Sequence, residues 1–315
     1  MAQRRCALLR GAGLVATGTT PCCGRITRGT DAGPIPAASV DASTGGTGLI
    51  SIAGRDVIHG TASSRAVPGD GEGPALPVFV SPFRIAPLAV TVSDFDAFVS
   101  ATGHVTTAEA EGWSFVMAAH IPPDAPVRGH AAGTPWWLGV DGAHWRAPFG
   151  PGSNADASHP VVHVSLYDAL TYCAWLEVRL PTEVEWEHAA RGGLSGMDFP
   201  WGNDESEIWL RANVWRGDFP ASQSGFRNGT CPVDSFAPNG FGLYNVIGNV
   251  WEWTSSTWTA ADHAVAARGG SYLCHASYCR RYRVSARSRQ VPDSTAGNLG
   301  FRIAGDPCPV RVAER

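Results

Sequence analysis

The chain has 315 residues and a formal charge of −4, with 44% hydrophobic and 17% charged residues, ample for a buried core. Its 24 basic residues are all arginine, which excludes a Schiff-base lysine, a pyridoxal phosphate anchor and a phosphate-loop lysine. The acidic balance argues against general nucleic-acid binding, and no run of about 18 apolar residues exists to span a membrane.

Residues 1–47 open with Arg4-Arg5, a weakly apolar stretch and Cys22-Cys23, then run into Gly, Ala, Thr and Ser. They read as an N-terminal extension with a linker, or as a twin-arginine export signal whose apolar part Arg10 interrupts. Globular patterning begins near Leu49. Val92, Phe95, Phe98 and Val99 form a helical stripe over residues 91–102, stopped by Gly103. Ser165 with Asp168 caps a second helix reaching Val178. Thr182-x-x-Glu185 caps a short third helix that stops before Gly192-Gly193. Residues 195–263 read mostly as loops anchored by Trp, Asn and Gly. Beyond them, Tyr282, Val284 and Ala286 alternate with Arg281, Arg283 and Arg287, which predicts a strand. Leu299, Phe301 and Ile303 predict another. The fold class is α+β, low in regular secondary structure.

Four groups of side chains invite a chemical reading. His159 and His163 are four apart, but Pro160 breaks any helix between them, so they read as satisfied loop histidines rather than metal ligands. Glu183, Glu185 and Glu187 stand at a helix N-terminus, where capping and the dipole account for them. Arg280, Arg281, Arg283, Arg287 and Arg289 read as a solvated strand face with partner carboxylates. Cys173 lies among apolar positions and reads as a buried, inert thiol.

Cys274 and Cys279 differ from the other six cysteines. Their Cys-x4-Cys spacing misses the knuckle of structural zinc. A straight strand would put the sulfurs on opposite faces, whereas Ala276 and Ser277 permit a turn that joins them. The residues alone leave a redox disulfide, a soft Cu(I) site, a structural disulfide and two unrelated buried thiols all open.

RLPTEVEWEHAARGG, FPWGN, GFGLYNVIGNVWEWTSSTW, RGGSYLCHASYCRRYR and ARSRQVPDSTAGNLGFR together resemble the formylglycine-generating enzymes, the sulfatase-modifying factors. The likeness runs in one order over residues 49–304, with PGDGEGP near its start and TPWWLGVDGAHWRAPFGP in its middle. Its most specific element is the Cys-x4-Cys pair. The resemblance implies an extension over 1–47, a single domain over 48–305 related to the duplicated C-type-lectin-like fold, and a tail over 306–315. It also implies an activity: oxidation of the cysteine of a Cys-x-Pro-x-Arg segment in an unfolded sulfatase to Cα-formylglycine, using O2, copper and an external reductant.

Cys274 and Cys279 match the family's copper-binding, substrate-engaging pair, and Ser271, Trp251 and Asn298 match its pocket, with His275 and Tyr278 as lining. One calcium site matches at Asn245, Gly248, Val250 and Glu252. A second matches only at Asn213 and Val214, because Ser224 stands where an acid is expected. Ile303 occupies the place of the partner that Cys173 has in disulfide-bonded relatives. An unfolded substrate implies action before folding, hence the cytoplasm, with export as the alternative; a monomer is the default expectation, and the acidic charge and the lack of a long apolar run argue against nucleic acid and a membrane span. The rival reading is a non-catalytic, calcium-stabilised lectin-like binding module. A sulfoxide synthase would need a His-x3-His-x-Glu run, which this chain lacks.

Overall fold

Reciprocal capping, rather than long apolar stripes, starts most of the helices in the computed structural model, which describes residues 48–223 and 229–307. Arg4-Arg5 with the extension, Ser224 and the tail from Cys308 lie outside the described residues. Helix α1 (Val92–Thr102) begins where Thr91 accepts from the Asp94 N–H and Asp94 accepts from the Thr91 N–H, and it ends at Gly103. Helix α2 (Thr107–Glu111) is built identically on Thr106 and Glu109, and its five residues are too few for an apolar period to reveal. Helix α3 (Leu166–Trp175) carries the expected Ser165–Asp168 box but stops short of Val178.

Helix α4 (Glu183–Arg191) closes at Gly192, where φ is 58° and a Cβ would stand 2.7 Å from the Gly240 nitrogen. Only glycine fits both demands. Helix α5 (Ile208–Arg211) is a single turn. Among the described residues no helix is long and apolar enough to cross a membrane.

Among the described residues twelve short strands form four small sheets. Strands β1 (Ile50–Ile52), β4 (Phe83–Ile85) and β12 (Ala304–Gly305) make the first, in the order β1-β4-β12, and bring the two ends of the described chain together. Strands β2 (Arg55–His59) and β3 (Leu76–Val80) pair as a ribbon. Strands β5 (Trp113–Met117), β7 (Thr134–Asp141) and β6 (Val127–Ala131) form the third sheet, in that order. The fourth runs β10-β9-β8-β11, from β8 (Trp251–Thr257), β9 (Val265–Arg268), β10 (Arg287–Gln290) and β11 (Leu299–Phe301). Its β8 and β11 are parallel, with Leu299 beside Trp251. The aromatic core centres on Phe95, whose ring meets Phe98, Trp145, Tyr172 and Phe301 at centroid distances of 5.2–6.4 Å. This is the expected α+β domain of low helix content.

The strand expected through Tyr282 and Val284 does not form. Residues 283–285 turn, and β10 begins only at Arg287. The alternation was real but both sets of side chains are buried: Tyr282 and Val284 in apolar core, Arg281 and Arg283 on carboxylates. Arg283 grips Glu72 at 2.6 and 2.7 Å with both partners inaccessible to solvent, and Arg281 meets Asp70 at 2.5 Å. The partner carboxylates were anticipated; the solvated face was not.

Glu183 and Glu187 also exceed the capping role assigned to them. Fully buried Arg268 donates to Glu183 at 2.8 Å and to Glu187 at 2.5 Å, and Arg191 adds a second guanidinium to Glu187. Burial pushes the Glu187 carboxyl up, but Arg268, His59 and Arg191 overcome it and hold the group well below the carboxylate range. Glu185 completes the capping box and also holds Arg179 through two bonds at 2.7 Å.

Candidate active site

After β9 the backbone passes through Gly269 and Gly270 at φ 97° and 75°. A Cβ on Gly270 would lie 2.9 Å from the Arg281 carbonyl, so the strand end packs directly on the chain that follows the second cysteine. Residues 271–274 then turn, with the Cys274 N–H on the Ser271 carbonyl at 2.9 Å. A second turn places the Cys279 N–H on the His275 carbonyl at 2.8 Å. These two turns solve the five-residue spacing: Cys274 Sγ and Cys279 Sγ face each other at 3.2 Å, both buried. That separation is well beyond the ~2.05 Å of a disulfide, so the pair stands as two thiols in contact.

The other expected pocket residues converge on this pair. The Ser271 N–H points at Cys274 Sγ at 3.3 Å, and the Asn298 amide donates to Ser271 Oγ at 2.9 Å. Register between β8 and β11 supplies the next link, the Trp251 N–H on the Asn298 carbonyl at 2.9 Å. Trp251 is fully buried, and its indole N–H has no acceptor among the described residues. Trp215, whose backbone N–H donates to the Cys274 carbonyl at 3.0 Å, leaves a buried indole N–H in the same condition.

Tyr278, the lining residue expected between the cysteines, stacks on Phe219 at 4.6 Å and meets Trp136 edge-on at 4.8 Å, a half-buried aromatic wall whose two partners sequence reasoning did not single out. Nor did it single out Asp70. Asp70 sits beside Arg281, and burial raises its pKa, with nearby Glu72 and Cys279 adding to the rise. The acids of PGDGEGP, with no helix to cap, were the available signal.

The expected calcium ligands divide. Asn245, at φ 48°, donates to the Pro232 carbonyl at 3.0 Å, while its Oδ1 is a buried acceptor with no donor among the described residues. Such an oxygen suits a hard cation. Glu252 is buried and already serves Trp186 at 2.6 Å and Arg302 at 2.9 and 3.0 Å, with Oε1 taking one donor. Gly248 packs on Asn213, whose carbonyl accepts the Asn249 N–H at 2.8 Å. The Asn213 amide is spent on the Gly229 carbonyl and Asn249 Oδ1, and Val214 is buried. Among the described residues no three His, Cys, Asp or Glu side chains gather as a metal cluster.

The two loop histidines and Cys173 stand as expected. His159 meets Thr230 at 2.9 Å, and His163 is buried between Ser114 and the Pro148 carbonyl. Cys173 is buried and unbridged, its thiol pushed up to about 12 by burial.

Comparison with known proteins agrees with this geometry. Residues 38–307 match the model of the sulfatase-modifying factor enzyme 1-like domain. A formylglycine-generating enzyme of Thermomonospora curvata is 48% identical over 284 residues, covering 82% of this chain and 94% of that one. A Bos taurus relative named inactive Cα-formylglycine-generating enzyme 2 is 46% identical, covering 75% and 81%. Among solved structures, PvdO from Pseudomonas aeruginosa superposes with a TM-score of 0.61 at 25% identity, covering 82% and 94%. The matched span encloses every described residue, both cysteines and all three pocket side chains, and on that ground the chain belongs to the sulfatase-modifying factor family.

Proposed function

We propose that this protein is a formylglycine-generating enzyme, converting the cysteine of a Cys-x-Pro-x-Arg segment in an unfolded sulfatase to Cα-formylglycine with O2. The observation that carries the reading is the pair of unbridged thiols, Cys274 and Cys279, facing each other at 3.2 Å in a buried pocket. Two contacting sulfurs that form no cluster with a third Cys, His or acid among the described residues suit a low-coordinate soft ion better than zinc. Cys274 and Cys279 would hold Cu(I), which supplies when bound a soft centre for the substrate thiolate and the redox chemistry of O2.

The chain's own residues have definable tasks. The Ser271 N–H favours the thiolate form of Cys274 by donating to its sulfur. Asn298 fixes the rotamer of the Ser271 hydroxyl, and Trp251 walls the pocket against bulk water. The Tyr278–Phe219–Trp136 wall offers apolar contact to a bound peptide. The net reaction takes the substrate's thiol-bearing methylene, O2, two electrons and two protons to an aldehyde, hydrogen sulfide and water, so the external reductant supplies the two electrons. Asn245, Glu252 and the Gly248 and Val250 carbonyls would hold Ca2+ in a structural role, while Asn213 and Val214 lack an acid. An unfolded substrate places the reaction before sulfatase folding, in the cytoplasm.

The test is a short Cys-x-Pro-x-Arg peptide incubated under air with reductant, with Cu(I) added or chelated, and read by mass loss and aldehyde trapping. Copper-dependent aldehyde that disappears in Cys274→Ser and Cys279→Ser supports the proposal. No product from folded, reduced, copper-loaded protein would sink it and favour the calcium-stabilised binding module, a reading that the inactive bovine relative makes concrete.

A further inference from the structure

The structure assigns His163 as a positioning residue of this site, one that holds the segment carrying Asn298 from behind so that Asn298 and Ser271 stay aligned over the thiols. The assignment rests on the proposed reaction only for what the aligned groups do.

His163 is fully buried and adopts φ 60°, an uncommon left-handed conformation for a side chain other than glycine. Such a conformation persists only where the surroundings over-determine it. Here they do. His163 Nε2 lies 2.9 Å from the Pro148 carbonyl, which can only accept, so Nε2 carries the proton. The other ring nitrogen, Nδ1, lies 2.8 Å from the Ser114 hydroxyl. Burial agrees with a neutral ring, pushing the imidazole down to about 3.

From this fixed ring a continuous set of contacts grips residues 295–297. Ser114 Oγ stands 2.8 Å from Thr295 Oγ1. The His163 backbone N–H donates to the Ala296 carbonyl at 3.0 Å. Gly297 lies against the imidazole so closely that a Cβ there would come within 3.3 Å of Cε1 and Nε2. The Gly297 N–H donates to the Phe115 carbonyl at 2.9 Å, and the Tyr272 hydroxyl donates to the Gly297 carbonyl at 3.1 Å. The next residue is Asn298, whose amide donates to Ser271 Oγ, and Ser271 in turn touches Cys274 Sγ. No group on this path except the last is a thiol, so His163 acts through position rather than by contact with the reacting atoms.

Three variants test the assignment. His163→Phe keeps ring volume and removes both hydrogen bonds. His163→Asn tolerates the left-handed backbone and keeps an acceptor near Nδ1. Gly297→Ala presses a methyl group onto the imidazole from the other side. The measurements are kcat and KM on the Cys-x-Pro-x-Arg peptide and amide hydrogen exchange across the chain.

His163→Phe is expected to lose roughly ten- to hundred-fold in kcat, the scale of a misplaced active-site group, with KM unchanged within about twofold. His163→Asn should recover most of that loss, and Gly297→Ala should lie between. In an Asn298→Ala background the His163→Phe effect should shrink to about twofold or less, since both act through one contact. Exchange should quicken in residues 270–274 and 295–299 alone. Additive losses in the double variant, or faster exchange spread over the whole chain, would overturn the assignment and leave His163 a core residue. If the wild-type protein makes no aldehyde, the proposed reaction fails, while the exchange pattern still decides the positioning role.

Discussion

Two buried polar regions of this molecule follow opposite rules. Around α4 and β9, Glu72, Glu183, Glu187 and Glu252 meet Arg191, Arg268, Arg283, Arg287 and Arg302 in pairs at 2.5–3.0 Å. Around Cys274 and Cys279, sulfur faces sulfur, and the indole N–H groups of Trp215 and Trp251 have no acceptor among the described residues. A lattice of buried ion pairs ties loops together where regular structure is scarce, because each broken pair would strand a buried charge. The thiol pair carries no such ion pair between its members, so little architecture depends on it. The chain thus puts its electrostatics into architecture and leaves its soft chemistry for function.

The sharpest way to break this division is at the thiols. Cys274→Ser or Cys279→Ser should lower aldehyde formation by at least about a thousandfold, more than about 4 kcal/mol of barrier, in a peptide assay. The same variants should melt within a few degrees of wild type, because serine fills nearly the same volume. A large drop in melting temperature would place the thiols in the architecture instead.

The lattice should answer oppositely. Glu72→Gln leaves fully buried Arg283 without a counter-charge and should cost about 3–5 kcal/mol in urea unfolding. A loss under about 1 kcal/mol would mean that solvent already screens the pair.

Acid should probe both regions through different groups. The folded pKa of His163 is lowered from 6.5 to about 3, so the unfolded chain takes up the proton first as pH falls. Its contribution is complete above about pH 6.5 and declines toward pH 3, reaching a loss of about 2 kcal/mol at pH 5. His120, His144 and His188 are lowered by burial and add in the same direction. Glu183 and Glu187, lowered by Arg268, keep their stabilisation until pH drops below the ordinary glutamate value. Urea midpoints between pH 7 and 5 should therefore fall in the wild type and fall less steeply in His163→Asn; equal slopes would contradict the buried neutral ring.

The smallest effect expected is at the cap that starts α4, beside the lattice but not part of its ion pairs. Thr182→Ala removes one side of the α4 capping box and should cost about 1 kcal/mol in the same unfolding assay. A much larger loss would mean that the cap and the lattice on the same helix are coupled.

Much of this fold was legible locally. Thr91–Asp94, Ser165–Asp168 and Thr182–Glu185 announce helix starts because a capping box is complete within four residues. The same signal stood at Thr106–Glu109, but without an apolar period behind it a five-residue helix is indistinguishable from a turn. Arginine alternation around Tyr282 misled because charged side chains are taken as outward-facing, and their carboxylates lie 211 residues away in the chain. Within the site, the spacing of Cys274 and Cys279 left four readings open, and family resemblance narrowed them. Asp70, Trp136 and Phe219 escaped notice since nothing near them in sequence says that they border sulfur.

The sequence by itself determined the chemistry available here: no lysine, arginine as the sole strong base, two cysteines five apart, and helices started by local caps. Those properties depend on residue type and short spacing, so they are settled before folding. Tertiary structure alone decided which groups were consumed and which were left. The parallel pairing of β8 with β11 sets Asn298 beside Trp251, and the two turns after Gly270 bring the sulfurs to 3.2 Å. Long-range pairing is fixed by burial and backbone hydrogen bonding over the whole chain, a sum that no short stretch of residues contains.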